Sequence, residues 1–392
     1  MPPWCEHCDW GVRSGSSTAR GVVGRQVDAS LRRWAVRLHE RLVRDPDSVT
    51  PSRRPALVLA VAVLLVAVAV VGLGLWGALL LDGWWRVAAL AFWALVVWEF
   101  APRPTRLDTY ALVVADDHVP GLRALVDDVA RRVGARSPEV LAVETDANAY
   151  VVALGYGRRQ ALVVGLPLWT TLDPDERVAL LGHELGHLRS RDTSTGVVLG
   201  TADALLARAV RVLHPDGVGD HDDIVVLASE AVGNVLQRMV VWPVALLRLL
   251  LVRLSAQQSQ HAEYVADRLA ARASGPQGLV SLLASFAGEP RGWTAAEVAA
   301  RTRQDPWVAL ETGTRPTERE VRRRCRAGEL EEHRVDASHP PTHLRLDLAR
   351  RMTDEGTDRV DTRLVAAADD DLRALRPELT RQLTDDLVHG RY

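Results

Sequence analysis

The chain has 392 residues, of which 47% are hydrophobic and 25% are charged, and its formal net charge is −2. This length can hold two or three compact units with a full core. The near-zero charge provides no global field that would attract nucleic acid. The chain has three cysteines, and an odd number with two of them closely spaced does not make a disulfide framework.

The first element, residues 1–50, is a polar segment. It contains Cys5 and Cys8, which resemble one half of a zinc ribbon. Structural zinc needs four ligands, so the pair is incomplete as it stands. Residues 31–44 have helical apolar spacing with arginines in between. This pattern is typical of a helix on a membrane surface and equally of an amphipathic helix packed on the protein.

Residues 51–106 are predicted to form a transmembrane hairpin. Residues 56–81 carry no charge, and about 20 such residues span a bilayer. A second apolar run, 87–98, is flanked by tryptophans that suit the membrane interface, and Arg86 can snorkel. Arginines precede the first run and follow the second. By the positive-inside rule we expect both ends in the cytoplasm, and hence a multi-pass cell-membrane protein whose globular part is cytosolic.

A globular domain is predicted over residues 107–352, followed by a charged, helix-prone tail over 353–392. A helix is expected at 120–133, and strands are expected at 140–143 and 160–164. The next helix has a well-defined start at Asp173, Pro174 and Glu176. Asp173 can cap it, the proline suits its first turn, and the glutamate completes a capping box. This helix is expected to run to about Ser190.

Two charged apolar segments follow, at 197–213 and 239–254. Because arginines and an aspartate interrupt them, we interpret them as helices on the domain or in the interface rather than as spans. A separate helix is predicted at 257–273, ended by Gly275.

The stretch LLGHELGHLRSRD lies inside the helix that starts at Asp173. His183 and His187 are four residues apart and therefore lie on one helix face, one turn apart. Their ring nitrogens can hold one metal ion. Glu184 is placed beside the first histidine, where it can act on water as a general base. This combination indicates a zinc hydrolase.

A catalytic zinc site also needs a third protein ligand. The helix at 257–273 offers Glu263 and Asp267, which are again four residues apart. Glu263 can complete the metal shell, and Asp267 can accept a hydrogen bond from a ligand. Carboxylates at this spacing are also common on solvated helix faces. Only their occurrence together with the first motif favours metal binding.

HELGHLRSRD, followed about 76 residues later by an E-Y-x-A-D helix, resembles peptidase family M48. This is the group of the HtpX membrane proteases and the CaaX prenyl-protein proteases. Further pieces occur in the family's order: Asn148-Ala149-Tyr150, Asp192, and His339-Pro340-Pro341 followed by Arg345. The resemblance covers about residues 108–352.

The resemblance implies a mostly helical (α+β) gluzincin-type domain with a small sheet, whose edge strand binds extended substrate. We expect that edge near residues 160–165. The implied Zn²⁺ ligands are His183, His187 and Glu263. Glu184 is the implied general base and His339 stabilises the oxyanion, and the implied supporting residues are Asp267 and Asp192.

The chain also departs from the family pattern. Ser259-Gln260 stands where the family often has Ser-Arg, which puts arginine support of the site in doubt. Tyr264 can belong either to the core or to the site, and His261 is expected on the surface. The CaaX-processing branch has more spans than this chain, which argues against prenyl-protein processing.

The expected function is zinc-dependent hydrolysis of peptide bonds in membrane or misfolded proteins. The expected partners are protein or peptide substrates and the lipid bilayer, without nucleic acid; the oligomeric state is not predicted. The alternative is a non-catalytic membrane scaffold with the same fold. The intact Glu184 argues against a scaffold, which has no need of a base.

Overall fold

The computed structural model of the protein describes residues 4, 12, 21–46, 48, 52–156, 159–190, 193–213, 224–287, 290–330, 339–353 and 360–390. The chain divides into two compact units. The sheet unit comprises residues 1–50, 105–191 and 259–392, and the helical unit comprises 51–104 and 192–258.

Helices dominate the described part of the chain. They are α1 (Gly21–Arg44), α2 (Arg54–Leu79), α3 (Gly83–Phe100), α4 (Pro120–Val133), α5 (Leu166–Thr171), α6 (Pro174–Ser190), α7 (Thr193–Leu213), α8 (Ile224–Ser274), α9 (Pro276–Phe286), α10 (Trp293–Arg301), α11 (Pro306–Glu311), α12 (Glu318–Leu330), α13 (Thr342–Arg350), α14 (Thr362–Ala374) and α15 (Arg376–His389). The strands are β1 (Leu112–Val114), β2 (Val140–Glu144), β3 (Ala149–Leu154) and β4 (Arg159–Gly165).

In the helical unit, α2 is the one described helix that is long and apolar enough to cross a membrane. Most of its large side chains are exposed, for example Val58 at 68% and Leu65 at 64%. A soluble core helix would bury such residues, so this surface suits lipid. Among the described residues, the charged segments in α7 and α8 do not meet the same test, and their interpretation as helices on the domain or in the interface stays a prediction.

The second arm of the predicted hairpin is α3, which packs against α2. Gly74 permits this packing, because a Cβ there would lie 1.9 Å from the Trp93 ring. With 18 residues, α3 is short for a span. The two-span hairpin therefore stays a prediction.

Helix α8 corrects one predicted boundary. Separate helices were expected at 239–254 and 257–273, but α8 continues through both and has 51 residues. Ser255 and Ala256, between the two segments, offer neither a proline nor a glycine to break it, and Pro243 lies inside the helix. Gly275 follows with a φ of +80°, a conformation that glycine adopts without strain. The predicted end at Gly275 is confirmed.

The sheet has the order β1-β2-β4-β3. β4 runs parallel to β2 and antiparallel to β3. The expectation of a substrate-binding edge near residues 160–165 is therefore wrong, because β4 has a partner on each side. The physical reason is visible in its burial, since five consecutive β4 residues are buried as in a central strand. Within the described residues, the open edge that packs beside α6 is β3.

The core of the sheet unit contains α4, α6, α14 and α15 together with the inner face of the sheet. Val365, Ala368 and Leu372 of α14 are buried there. Gly121 allows α4 to approach α14 closely, because a Cβ at this position would lie 2.5 Å from the backbone of Ala367. The charged C-terminal helices therefore contribute directly to the core.

Helix α1 packs on α13 in the same unit. Its apolar stripe is buried: Leu31, Ala35, Leu38 and Leu42. His39 Nε2 lies 2.9 Å from an oxygen of Asp347 on α13. Of the two interpretations of residues 31–44, the amphipathic helix packed on the protein is the one observed.

Candidate metal centre

The helix that carries the histidines begins as predicted. The backbone N–H of Asp173 donates to Glu176 Oε2 at 2.9 Å, which is the reciprocal bond of a capping box. Glu176 is 2% exposed, and Arg291 donates to the same oxygen at 2.7 Å. The start of α6 is therefore anchored by a buried ion pair two turns before the first histidine.

Two glycines bring α6 against α8. A Cβ on Gly182 would lie 2.9 Å from Ala270 Cα, and one on Gly186 would lie 3.1 Å from Ala266 Cα. Real Cβ atoms rarely approach a backbone so closely. The absence of side chains at these positions therefore sets the separation of the two helices, and with it the distance from the histidines to Glu263.

His183, His187 and Glu263 converge on one point. The two Nε2 atoms are 3.2 Å apart, and they lie 3.4 and 3.3 Å from the two oxygens of Glu263. Ligand atoms placed tetrahedrally at 2.0–2.2 Å from a zinc ion are separated by roughly 3.3–3.6 Å. The three side chains therefore fit a single ion of this kind.

Asp267 and Arg345 make hydrogen bonds and ion pairs with the proposed ligands. Asp267 Oδ1 lies 3.0 Å from His183 Nδ1, so the other ring nitrogen, Nε2, is left for a ligand. Arg345 donates to both oxygens of Asp267, at 2.8 and 2.6 Å, and its Nη1 lies 3.3 Å from Glu263. Arg345 belongs to the late H-P motif of the sequence, which by itself indicates no role for it.

The charge balance of the site depends on a proton or a metal ion. Glu263 and Asp267 are 3% and 1% exposed, and one buried guanidinium, Arg345, faces both. Burial by itself lowers the pKa of His183, but bonds to Asp267 and Glu263 outweigh it and raise that pKa to about 10. Burial raises the pKa of Glu263, yet the surrounding histidines lower it well below the usual range. A buried negative charge is stable only when a proton or a metal ion compensates it.

The other predicted site residues have different surroundings. Glu184 is half-buried on α6, directly after His183. His339 is half-exposed, with Nδ1 2.9 Å from Glu263 Oε2, so it lies at the rim of the group. Asp192, Cys5 and Cys8 lie outside the described residues.

Three neighbours of Glu263 on α8 are buried, and for His261 this contradicts the prediction. His261 is 2% exposed and not on the surface as predicted, because α1 and the segment after it cover this face of α8; burial lowers its pKa. Tyr264 is 1% exposed and packs on Leu38 and Leu42, which places it in the core. Gln260 is fully buried, and the guanidinium near Glu263 comes from Arg345 instead.

Curated proteins similar to this chain include three named "Protease HtpX homolog". The one from Pyrococcus abyssi is 31% identical over 180 residues, which is 44% of this chain and 58% of that protein. The one from Methanopyrus kandleri is 29% identical over 246 residues, 61% of this chain and 69% of its own length. The one from Leptothrix cholodnii is 34% identical over 177 residues, which is 43% of this chain and 57% of that protein. The chain thus spans little more than half the length of the first and third relatives.

No solved structure matches the chain. Residues 118–353 match the family described as Peptidase family M48. This match includes the two histidines, Glu263 and Arg345, and it covers more than half of the chain. The chain therefore belongs to peptidase family M48.

Proposed function

We propose that the protein is a membrane-anchored zinc metalloendopeptidase. The observation that carries this proposal is the convergence of His183, His187 and Glu263 at distances that suit one zinc ion. Two nitrogens and one carboxylate leave a coordination position open, as catalytic rather than structural zinc requires. Family membership supports the same reaction class.

The chemistry divides between the ion and the protein. Zinc at this site would act as a Lewis acid and bring the acidity of a water molecule to about neutral pH. Glu184 follows the first ligand on α6, so it accepts the proton from the water that attacks the scissile carbonyl and then delivers it to the leaving amine. Asp267 keeps the His183 ring in one orientation, and Arg345 holds Asp267. His339, at the exposed rim, is the proposed donor to the oxyanion.

Substrate is proposed to add as a strand to the open edge of β3. The N–H of Gly165 donates to the carbonyl of Asn148 at 2.7 Å. Hydrogen-bonded pairs alternate along an antiparallel ladder. The backbone groups of Tyr150, Val152 and Leu154 therefore point at β4, and those at odd-numbered positions point outward. An extended peptide would add on this outward-facing side of β3, along Ala149, Val151 and Ala153.

The open edge has a defined end. Gly155 is the next outward-facing residue, and it exchanges two backbone hydrogen bonds with Thr105, at 3.0 and 2.9 Å. An added strand can therefore pair with β3 only as far as Ala153. A site of this size accepts a short extended segment, which suits unfolded regions of membrane or misfolded proteins. With α2 in the bilayer, we place the sheet unit on the cytoplasmic side.

The test compares wild-type protein with Glu184→Gln in detergent, using an unfolded casein as substrate. The substitution preserves shape and removes the base, so cleavage should fall by about 100-fold to 10,000-fold while bound zinc is retained. His183→Ala should instead lose the zinc and some stability, because metal-binding free energy is also folding free energy. Equal cleavage by Glu184→Gln would reject the mechanism, and an inactive wild type that holds zinc would favour the scaffold.

A further inference from the structure

A cavity of about 330 Å³ lies in the sheet unit between the end of α1, the C-terminal part of α8 and the end of α13. It is large enough for a small ligand, since such sites usually start near 300 Å³. Its apolar wall is formed by Leu42, Val43, Leu348 and Met352. None of the proposed metal ligands lines it, so it is separate from the metal centre.

The charged groups at this cavity have one sign. Arg268, Arg272 and Arg351 line it, and no acidic side chain is among its lining residues. Arg351 is paired with Asp347 at 2.9 Å, and Arg268 donates to the carbonyl of Pro46. Arg272 is exposed. An apolar wall beside several guanidinium groups is complementary to a ligand with an apolar body and an anionic head.

A buried donor lies at the same place. Tyr264 lines the cavity and is 1% exposed, and its hydroxyl has no hydrogen-bond partner among the described residues. A buried donor without an acceptor is costly. A carboxylate in the cavity would provide the missing acceptor.

We propose that this cavity binds a long-chain fatty-acid anion, with the acyl chain against the apolar wall and the carboxylate among the arginines and Tyr264. One acyl chain suits the volume better than a two-chain lipid. Tyr264 directly follows the proposed metal ligand Glu263 on α8, so an occupant would contact the same helix turn that contributes to the metal centre. The proposal does not depend on proteolytic activity.

The test uses the full-length protein in phosphatidylcholine nanodiscs and a palmitate analogue with a photoreactive group in its chain. After irradiation, mass spectrometry should place the label in peptides containing residues 42–46, 264–276 or 348–353. Laurate should compete at least 10-fold better than dodecanol, because a charge-assisted hydrogen bond contributes about 1.5–3 kcal/mol. Label confined to α2 and α3, or equal competition by the alcohol, would overturn the proposal.

Variants of the arginines that line the cavity provide a second test. Arg268→Gln combined with Arg272→Gln should reduce the specific label at least 10-fold. The matched control is Arg301→Gln with Arg303→Gln, which removes two exposed charges near α10 and should leave the label unchanged. Arg272→Gln alone changes an exposed residue, so it keeps the test valid if the double variant folds poorly; it should reduce the label several-fold. Undiminished label in the cavity variants would contradict the role of the anion.

Discussion

Replacing Gly182 with alanine should weaken the metal centre although Gly182 is not a ligand. The new Cβ would lie 2.9 Å from Ala270 Cα and 3.2 Å from Ala273 Cβ, whereas carbon atoms pack best at about 3.5–4.0 Å. Helices α6 and α8 must therefore separate by roughly half an ångström or more. Because the histidines lie on α6 and Glu263 on α8, the separation acts directly on the ligand distances.

The expected losses of stability and zinc affinity can be bounded. Overpacking of a tight interface costs about 1–3 kcal/mol, and the better helix propensity of alanine offsets about 0.8–1.0 kcal/mol of this. Displaced ligands should reduce zinc affinity by about 10-fold to 100-fold, as substitutions next to metal sites commonly do. Zinc affinity by chelator competition and the melting temperature measure the two effects.

A matched control exists on α7. Gly200 is also helical, but a Cβ there would meet nothing within 4 Å. Gly200→Ala should therefore stabilise the protein by up to about 1 kcal/mol through helix propensity alone, with unchanged zinc affinity. If Gly182→Ala behaves like Gly200→Ala, the close approach of α6 and α8 does not determine the ligand geometry.

Two further predictions concern pH and topology. Burial raises the pKa of Glu144 from 4.5 to about 7. The folded protein therefore binds the carboxyl proton of Glu144 more tightly than the unfolded chain does. The stability that this proton contributes is lost as pH rises through 7. Glu144→Gln should therefore raise the unfolding free energy above pH 7 by about 1–3 kcal/mol and leave it unchanged below pH 4.5; an equal effect at both pH values would contradict the assignment. Reporter fusions after residues 50 and 106 should both report cytoplasm, whereas an external signal at the second alone would indicate a single span.

Local signals in the sequence predicted the start of α6 and the residues of the metal group. The N–H of Asp173 donates to the side chain of Glu176 three residues later, and His183 and His187 share a face because of helical periodicity alone. Glu263 lies far away along the chain, so its place depended on a second motif. Its distances to the histidines depend on Gly182 and Gly186, whose role becomes clear only when α8 is in place.

Features that depend on tertiary packing were less predictable. The prediction of a substrate-binding edge at β4 is wrong, although the continuous apolar run of β4 is typical of a central strand. His261 was expected on the surface because a single-helix pattern does not show that α1 covers this part of α8. Arg345 lies on α13, and nothing local indicates that its guanidinium reaches Asp267. In each case the deciding contact comes from an element distant in sequence.

Zinc reconstitution tests the central claim most directly. Full-length protein stripped by a chelator should cleave an unfolded casein only after zinc is restored, and activity should saturate at about one zinc per chain. Glu263→Ala, which removes the third ligand, should neither retain the zinc nor recover activity at that ratio. Full activity of the stripped protein, or normal recovery by Glu263→Ala, would contradict a catalytic zinc held by His183, His187 and Glu263.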